Sequence, residues 1–165
     1  MKSSMRRVLP IAVLLVALLV PAGAQAATSS LWATVNVCDP PGARNVIGIR
    51  ASMPGNGTSQ AMSMHFSAEW YSASKKRWLA TGSSSPWIRA GSARYRSMQR
   101  GYSFQFGDPP KGTTFLMRGV VRYQWRSRRT WKLVKRRTRV TRGGLRGVVG
   151  GTPTGKSDAR CRIAF

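Results

Sequence analysis

Residues 62–70 read MSMHFSAEW, and every second one is apolar or small: Met62, Met64, Phe66, Ala68 and Trp70. Ser63, His65, Ser67 and Glu69 fill the positions between. Successive side chains of a strand point to opposite faces, so this order sets one apolar face on a core and one polar face toward water. The same alternation runs through Phe115, Met117, Gly119, Val121, Tyr123 and Trp125, with Arg118, Arg122, Gln124 and Arg126 on the other face. Shorter strands are predicted over 32–38, 46–53, 78–80, 102–106, 131–140 and 159–163. Between them lie Asp39-Pro40-Pro41-Gly42, Pro54-Gly55-Asn56-Gly57, Asp108-Pro109-Pro110-Lys111-Gly112 and Gly143-Gly144, which supply the fixed or positive φ of turns. Neither a convincing amphipathic helix nor an internal repeat occurs beyond residue 26. Many short strands without helical crossovers predict an all-β, antiparallel β-sandwich.

The first residues have a different pattern. Lys2, Arg6 and Arg7 precede an apolar run of thirteen residues, Val8 to Val20, and Ala24-Gln25-Ala26 then offers small residues to a signal peptidase. This predicts a secretory signal peptide over 1–26, cleaved after Ala26, by a general or a twin-arginine route. The run is short of the about 20 residues of a spanning helix, so no stable transmembrane anchor is expected. Residues 27–165 then form a single domain, a size that buries a substantial core. Cys38 and Cys161 both lie in this exported part, where an oxidising compartment favours one disulfide. Two free thiols or a metal pair are the alternatives. Residues 141–158 are Gly-rich and poor in apolar side chains, which predicts a long surface loop before a final strand.

The order of short strands, the terminal cysteine pair and the run Leu116-Met117-Arg118-Gly119-Val120-Val121-Arg122-Tyr123 resemble immunoglobulin-like and fibronectin type III-like sandwiches. More narrowly, the arrangement is similar to small uncharacterised secreted bacterial proteins with such a domain. Cys38 and Cys161 sit near the two ends, unlike the central inter-sheet pair of antibody domains with its packed Trp. The resemblance implies a fold class and carries no active site with it.

Catalytic chemistry finds few residues to work with. Gly150-Gly151-Thr152-Pro153-Thr154-Gly155-Lys156-Ser157 satisfies the phosphate-loop pattern G-x-x-x-x-G-K-[ST]. The eight residues after Ser157 are too few for the helix that must face the phosphates, so no nucleotide is expected at 150–157. The single histidine, His65, would share a strand face with Glu69, about 13 Å along the strand and beyond hydrogen-bond reach. Asp39, Asp108 and Asp158 lie in or beside turns, and no serine sits in a G-x-S-x-G elbow. One histidine and two cysteines make no metal-ligand cluster. The expectation is therefore a non-enzyme with no catalytic residues, cofactor or metal. Asn56-Gly57-Thr58 fits a glycosylation sequon but reads as a turn.

Charge is what remains. Without Lys2, Arg6 and Arg7 the mature chain keeps 25 Lys and Arg against four acids, a net charge of +21. Five of these bases fall between 27 and 88 and twenty between 89 and 165. A compositional bias toward Arg explains Arg over Lys but not the scarcity of acids. The density peaks in 122-RYQWRSRRTWKLVKRRTRVTR-142, read as the last large hairpin, with a turn over 126–130 and a side switch near Val134. Tyr123, Trp125, Trp131 and Leu133 are assigned mainly to the core, and Trp78 or Trp87 is the candidate for an exposed ring. Arg118, Arg122, Arg126, Arg128, Arg129, Lys132, Lys135, Arg136, Arg137 and Arg139 form a candidate anion-binding face, since the planar guanidinium matches two oxyanion oxygens at once. The expected function is a secreted or wall-associated, non-catalytic binding or structural domain whose partners are anionic envelope or extracellular polymers. An adhesion module with incidental charge and a non-specific nucleic-acid binder are the alternatives.

Overall fold

A computed structural model describes residues 31–164 apart from Pro109, so the predicted signal peptide lies outside the described residues. The described chain is all-β, with nine strands in two antiparallel sheets. They are β1 (Trp32–Cys38), β2 (Val46–Pro54), β3 (Ala61–Ser72), β4 (Arg77–Ser84), β5 (Ile88–Ser92), β6 (Ser97–Gln105), β7 (Thr114–Arg126), β8 (Leu133–Val140) and β9 (Cys161–Ala164). β5 escapes the sequence reading because it is short and irregular: its pairing slips between Met62 and Ser63.

The smaller sheet has the order β1-β2-β6. The larger is built on the long β3–β7 pair, whose register couples Ala61 with Arg126 and Trp70 with Met117. Each outer column of this sheet is divided between two strands. β4 pairs with the end of β3 and β5 with its beginning. On the far side, β9 pairs with the start of β7 and β8 with its end.

The two sheets close over one core because both sets of alternating apolar residues face inward. Ala33, Val35, Ile47, Ile49, Ala51, Met53 and Phe104 come from the small sheet, and Met62, Met64, Phe66, Met117, Val121, Tyr123, Trp125 and Ile163 from the large one. Each large aliphatic or aromatic side chain fully buried there contributes about 1.5–3 kcal/mol. Gly119 marks the closest approach: a Cβ there would lie 2.5 Å from Ile49 Cδ1 and 2.8 Å from Thr141 Cγ2. Tyr123 crosses the core and donates its hydroxyl to the Trp32 carbonyl at 2.7 Å.

A bulge at Asn36 shifts the β1 register between Val35 and Val37. The extra residue reverses the facing of the strand's last two positions, so Cys38 lies opposite inward-pointing Ile47 rather than on the outer face. There it is bonded to Cys161 of β9, with Cα atoms 5.3 Å apart. The disulfide thus joins the two sheets, but through edge strands rather than through the centre of the sandwich.

The Gly-rich loop at 141–158 has a structural task that its composition hides. β1 is an edge strand, and the loop lines its open side. Val35 and Asp158 exchange main-chain bonds, Arg142 N donates to Ala33 O, and Thr152 N donates to Asn36 O. Farther out, Gly147 O accepts from Gln99 Nε2 on β6, and Asn36 Nδ2 donates to Gly150 O. Thr34 and Asn36 are consequently buried although they are polar. Gly150 lies over the Arg50 guanidinium with φ of 67°, a position where a side chain would collide with that group. Covering an edge in this way blocks pairing with another chain.

Candidate anion-binding surface

The hairpin β7–β8 carries most of the predicted basic residues, and its geometry distributes them. Cross-strand partners share a face of the sheet. Arg122 lies opposite Thr138 and Gln124 opposite Arg136, so Arg122 and Arg136 occupy the outer face. Trp125, Tyr123 and Val121 lie opposite Lys135, Arg137 and Arg139, which puts these three cations on the inward side. They are nonetheless exposed, as is every residue of β8. Arg128 and Arg129 occupy the exposed hairpin turn, and Lys132 comes just after them. The cations therefore clothe both faces and the tip of one projecting hairpin.

The register slips between Trp125 and Arg126, leaving Val134 as the extra residue. This is the side switch expected from the sequence. Trp131 corrects another expectation. It has φ of 55°, lies in the turn rather than in a strand, and is 59% exposed. Leu133 and Val134 are exposed as well, on a strand that is exposed along its whole length. Of the two rings proposed to be exposed, Trp87 is 41% exposed and Trp78 is half-buried.

Three predicted residues have intramolecular duties. Arg118 meets Glu69 with Nε and Nη2 both 2.7 Å from Oε2, and its guanidinium lies 4.3 Å from the centre of the Trp78 ring. Arg122 Nη2 is 3.4 Å from His65 Nδ1. Because arginine can only donate, His65 accepts there and carries its proton on Nε2. Burial, and then the Arg122 charge, hold the His65 pKa below the ordinary histidine value. Arg126 Nη1 donates to the Trp131 carbonyl and braces the turn.

Along β8 the contacts are looser. Lys135 Nζ sits 5.1 Å from the Trp125 ring centre. Arg137 Nη1 donates to the Arg136 carbonyl at 2.8 Å, and Arg139 Nη1 to the Thr138 carbonyl at 3.0 Å. Among the described residues, none of Arg128, Arg129, Lys132, Lys135, Arg136, Arg137 and Arg139 has a carboxylate partner. The acids are engaged elsewhere. Glu69 pairs with Arg118 and Asp158 with Lys156, while Asp39 and Asp108 accept from the Asn45 main-chain and side-chain nitrogens.

Sequence reasoning missed one cluster on the outer face of the large sheet. Tyr71 and Trp78 tilt together with centres 5.4 Å apart and line a shallow groove with Leu116 and Arg160. The Arg160 guanidinium lies 5.7 Å from the Trp78 ring centre. Period-two reading from Glu69 through Tyr71 would have found one wall; the link to Arg160 depends on long-range pairing.

The phosphate-loop match at 150–157 is part of the loop that lines β1. Lys156 pairs with Asp158 at 2.7 Å, the Ser157 hydroxyl bonds that of Thr34, and the chain continues into β9 rather than into a helix. Among the described residues no group of three or more His, Cys, Asp or Glu converges to hold a metal. Compared with known proteins, the chain matches no protein-family model and no curated protein.

Proposed function

We propose that this chain is an exported, non-catalytic domain that associates with anionic cell-envelope or extracellular polymers through its basic hairpin. The observation that carries the reading is the row of seven exposed cations on β8 and the preceding turn, with the acids engaged elsewhere. Solvated guanidinium and ammonium groups at this density, without carboxylate partners, set up a strong positive potential and favour oxyanions. The export reading is supported by the leader pattern and by the Cys38–Cys161 bond. No helix among the described residues is long and apolar enough to cross a membrane.

The fold belongs, in this reading, with immunoglobulin-like sandwiches of the fibronectin type III kind. With β1, β2 and β6 as strands A, B and E, and β3, β7 and β8 as C, F and G, both sheets keep the immunoglobulin-type order. β4 and β5 take the place beside C. Loops and edges, rather than the core, carry binding in such sandwiches.

Retention on purified cell walls across a salt series tests the function. Binding is expected at low salt, with log affinity falling linearly against log salt by about 0.7–0.9 for each phosphate neutralised. Replacing Arg128, Arg129, Arg136, Arg137 and Arg139 by Gln should flatten that slope. Absence of binding at low salt, or indifference to salt, would overturn the reading.

A further inference from the structure

β8 is an edge strand, and its main chain shows how it presents itself. Thr141 N donates to Gly119 O. Hydrogen-bonded and non-hydrogen-bonded pairs alternate along an antiparallel ladder. The pairs Val121–Arg139, Tyr123–Arg137 and Trp125–Lys135 are therefore the hydrogen-bonded ones. The N–H and C=O groups of Arg136, of Thr138 and, at the end of the strand, of Val140 point away from β7. An open edge of this kind ordinarily invites another strand, because it offers donors and acceptors in alternation. Here the outward carbonyls of Arg136 and Thr138 are both taken, Arg136 O by the Arg137 guanidinium and Thr138 O by that of Arg139, while Val140 is the last residue of the strand. What remains at Arg136 and Thr138 is a pair of outward N–H donors flanked by cations.

We infer that the stretch of this edge from Arg136 to Thr138 is a donor-only rail that rejects strand addition and seats a single extended polyanion, a phosphodiester chain linked by short polyols. The inference rests on the polyanion reading above and names the atoms that perform it. The outward N–H groups of Arg136 and Thr138 lie about 6.6–6.8 Å apart, the two-residue repeat of a strand. Each faces an oxyanion of the bound chain, while Arg136 on one face of the sheet and Lys135, Arg137 and Arg139 on the other supply charge. Hydrogen bonds to an ionised oxygen are the strong ones, and the planar guanidinium matches phosphate oxygens in pairs. A polyol phosphate fits the rail better than a nucleic acid because Leu133–Val140 contains no aromatic residue on which bases could stack, the exposed Trp131 lying in the turn before the strand.

The test separates the rail from general electrostatics. Thr138→Pro removes one outward N–H that the β7–β8 ladder does not use, a substitution edge strands accept, and it leaves the net charge unchanged. Affinity for poly(glycerol phosphate) should drop about tenfold with the salt slope preserved. In the unmodified protein, titration with the same polymer should shift the amide resonances of Arg136 and Thr138 far more than those of Arg137 and Arg139. This second measurement stands even where the proline variant folds poorly. Failure of the unmodified protein to bind at low salt sinks the polyanion reading itself. Binding accompanied by uniform amide shifts and an unaltered Thr138→Pro affinity sinks the rail alone. Tighter binding of a single-stranded oligonucleotide than of poly(glycerol phosphate) at matched charge overturns the polymer class.

Discussion

His65 shows how one residue ties the polar face of the large sheet together. It lies in register with Arg122 and accepts from it, and its ring sits 5.3 Å from that of Trp87. Protonation would place a second positive charge against Arg122 in a poorly hydrated position. The folded-state pKa is accordingly lower than the 6.5 of an unperturbed histidine. Over the interval between those two values the unfolded chain binds the proton and the folded chain does not, so stability is lost as pH falls below about 6.5. Thermal unfolding of His65→Gln, monitored from pH 7 to pH 5, should show a smaller decline than the unmodified protein. An identical decline in both would mean that other groups set the acid limb. The strand position of His65 was legible from MSMHFSAEW. Its partner was not, because cross-strand register cannot be read from one strand alone.

At the level of elements, the sequence speaks clearly where a strand has two different faces. β3 and β7 are buried on one side and wet on the other, and their period-two patterns announce them. β8 reads LVKRRTRV and carries no such pattern, because this strand, unlike β9 in the same column, has no buried side. The ten candidate cations were visible as residues. Their partition over two faces was not, since it depends on pairing with β7 and on the bulge at Val134. Trp131 was misplaced for a related reason: a left-handed backbone at a tryptophan leaves no compositional mark. The stretch 141–158 was legible as a loop, but its hold on β1 was not, because many of its contacts are main-chain bonds, which any residue can make. Packing between the elements can be probed at Gly119, whose missing side chain admits Ile49. Gly119→Val should destabilise the fold by at least about 1–3 kcal/mol through overpacking. Denaturant unfolding checks this, and a midpoint unchanged from the unmodified protein would show that the sheets separate freely there.

For the whole molecule, the disulfide closes a loop with a sequence separation of 123 residues. Such a closure is worth about 4–5 kcal/mol in the chain-entropy model, and removal of a native bond from a small domain commonly costs about 2–5 kcal/mol. Replacing Cys38 and Cys161 together by Ser should therefore lower the unfolding free energy by several kcal/mol, measured by chemical denaturation beside the oxidised protein. A loss below about 1 kcal/mol would mean that the loop and β9 hold the edge unaided. Seen as a timetable, the same arrangement constrains how the protein comes into being. The groups that complete β1 belong to the loop at 141–158 and to Cys161 of β9. A chain emerging amino end first, from a ribosome or a membrane pore, must therefore wait for its last segment before its first strand is sealed. Until then the small sheet lacks its border and the start of β7 lacks a neighbour. The polypeptide stays unlocked until residues 141–161 have joined it, and the disulfide can close only then.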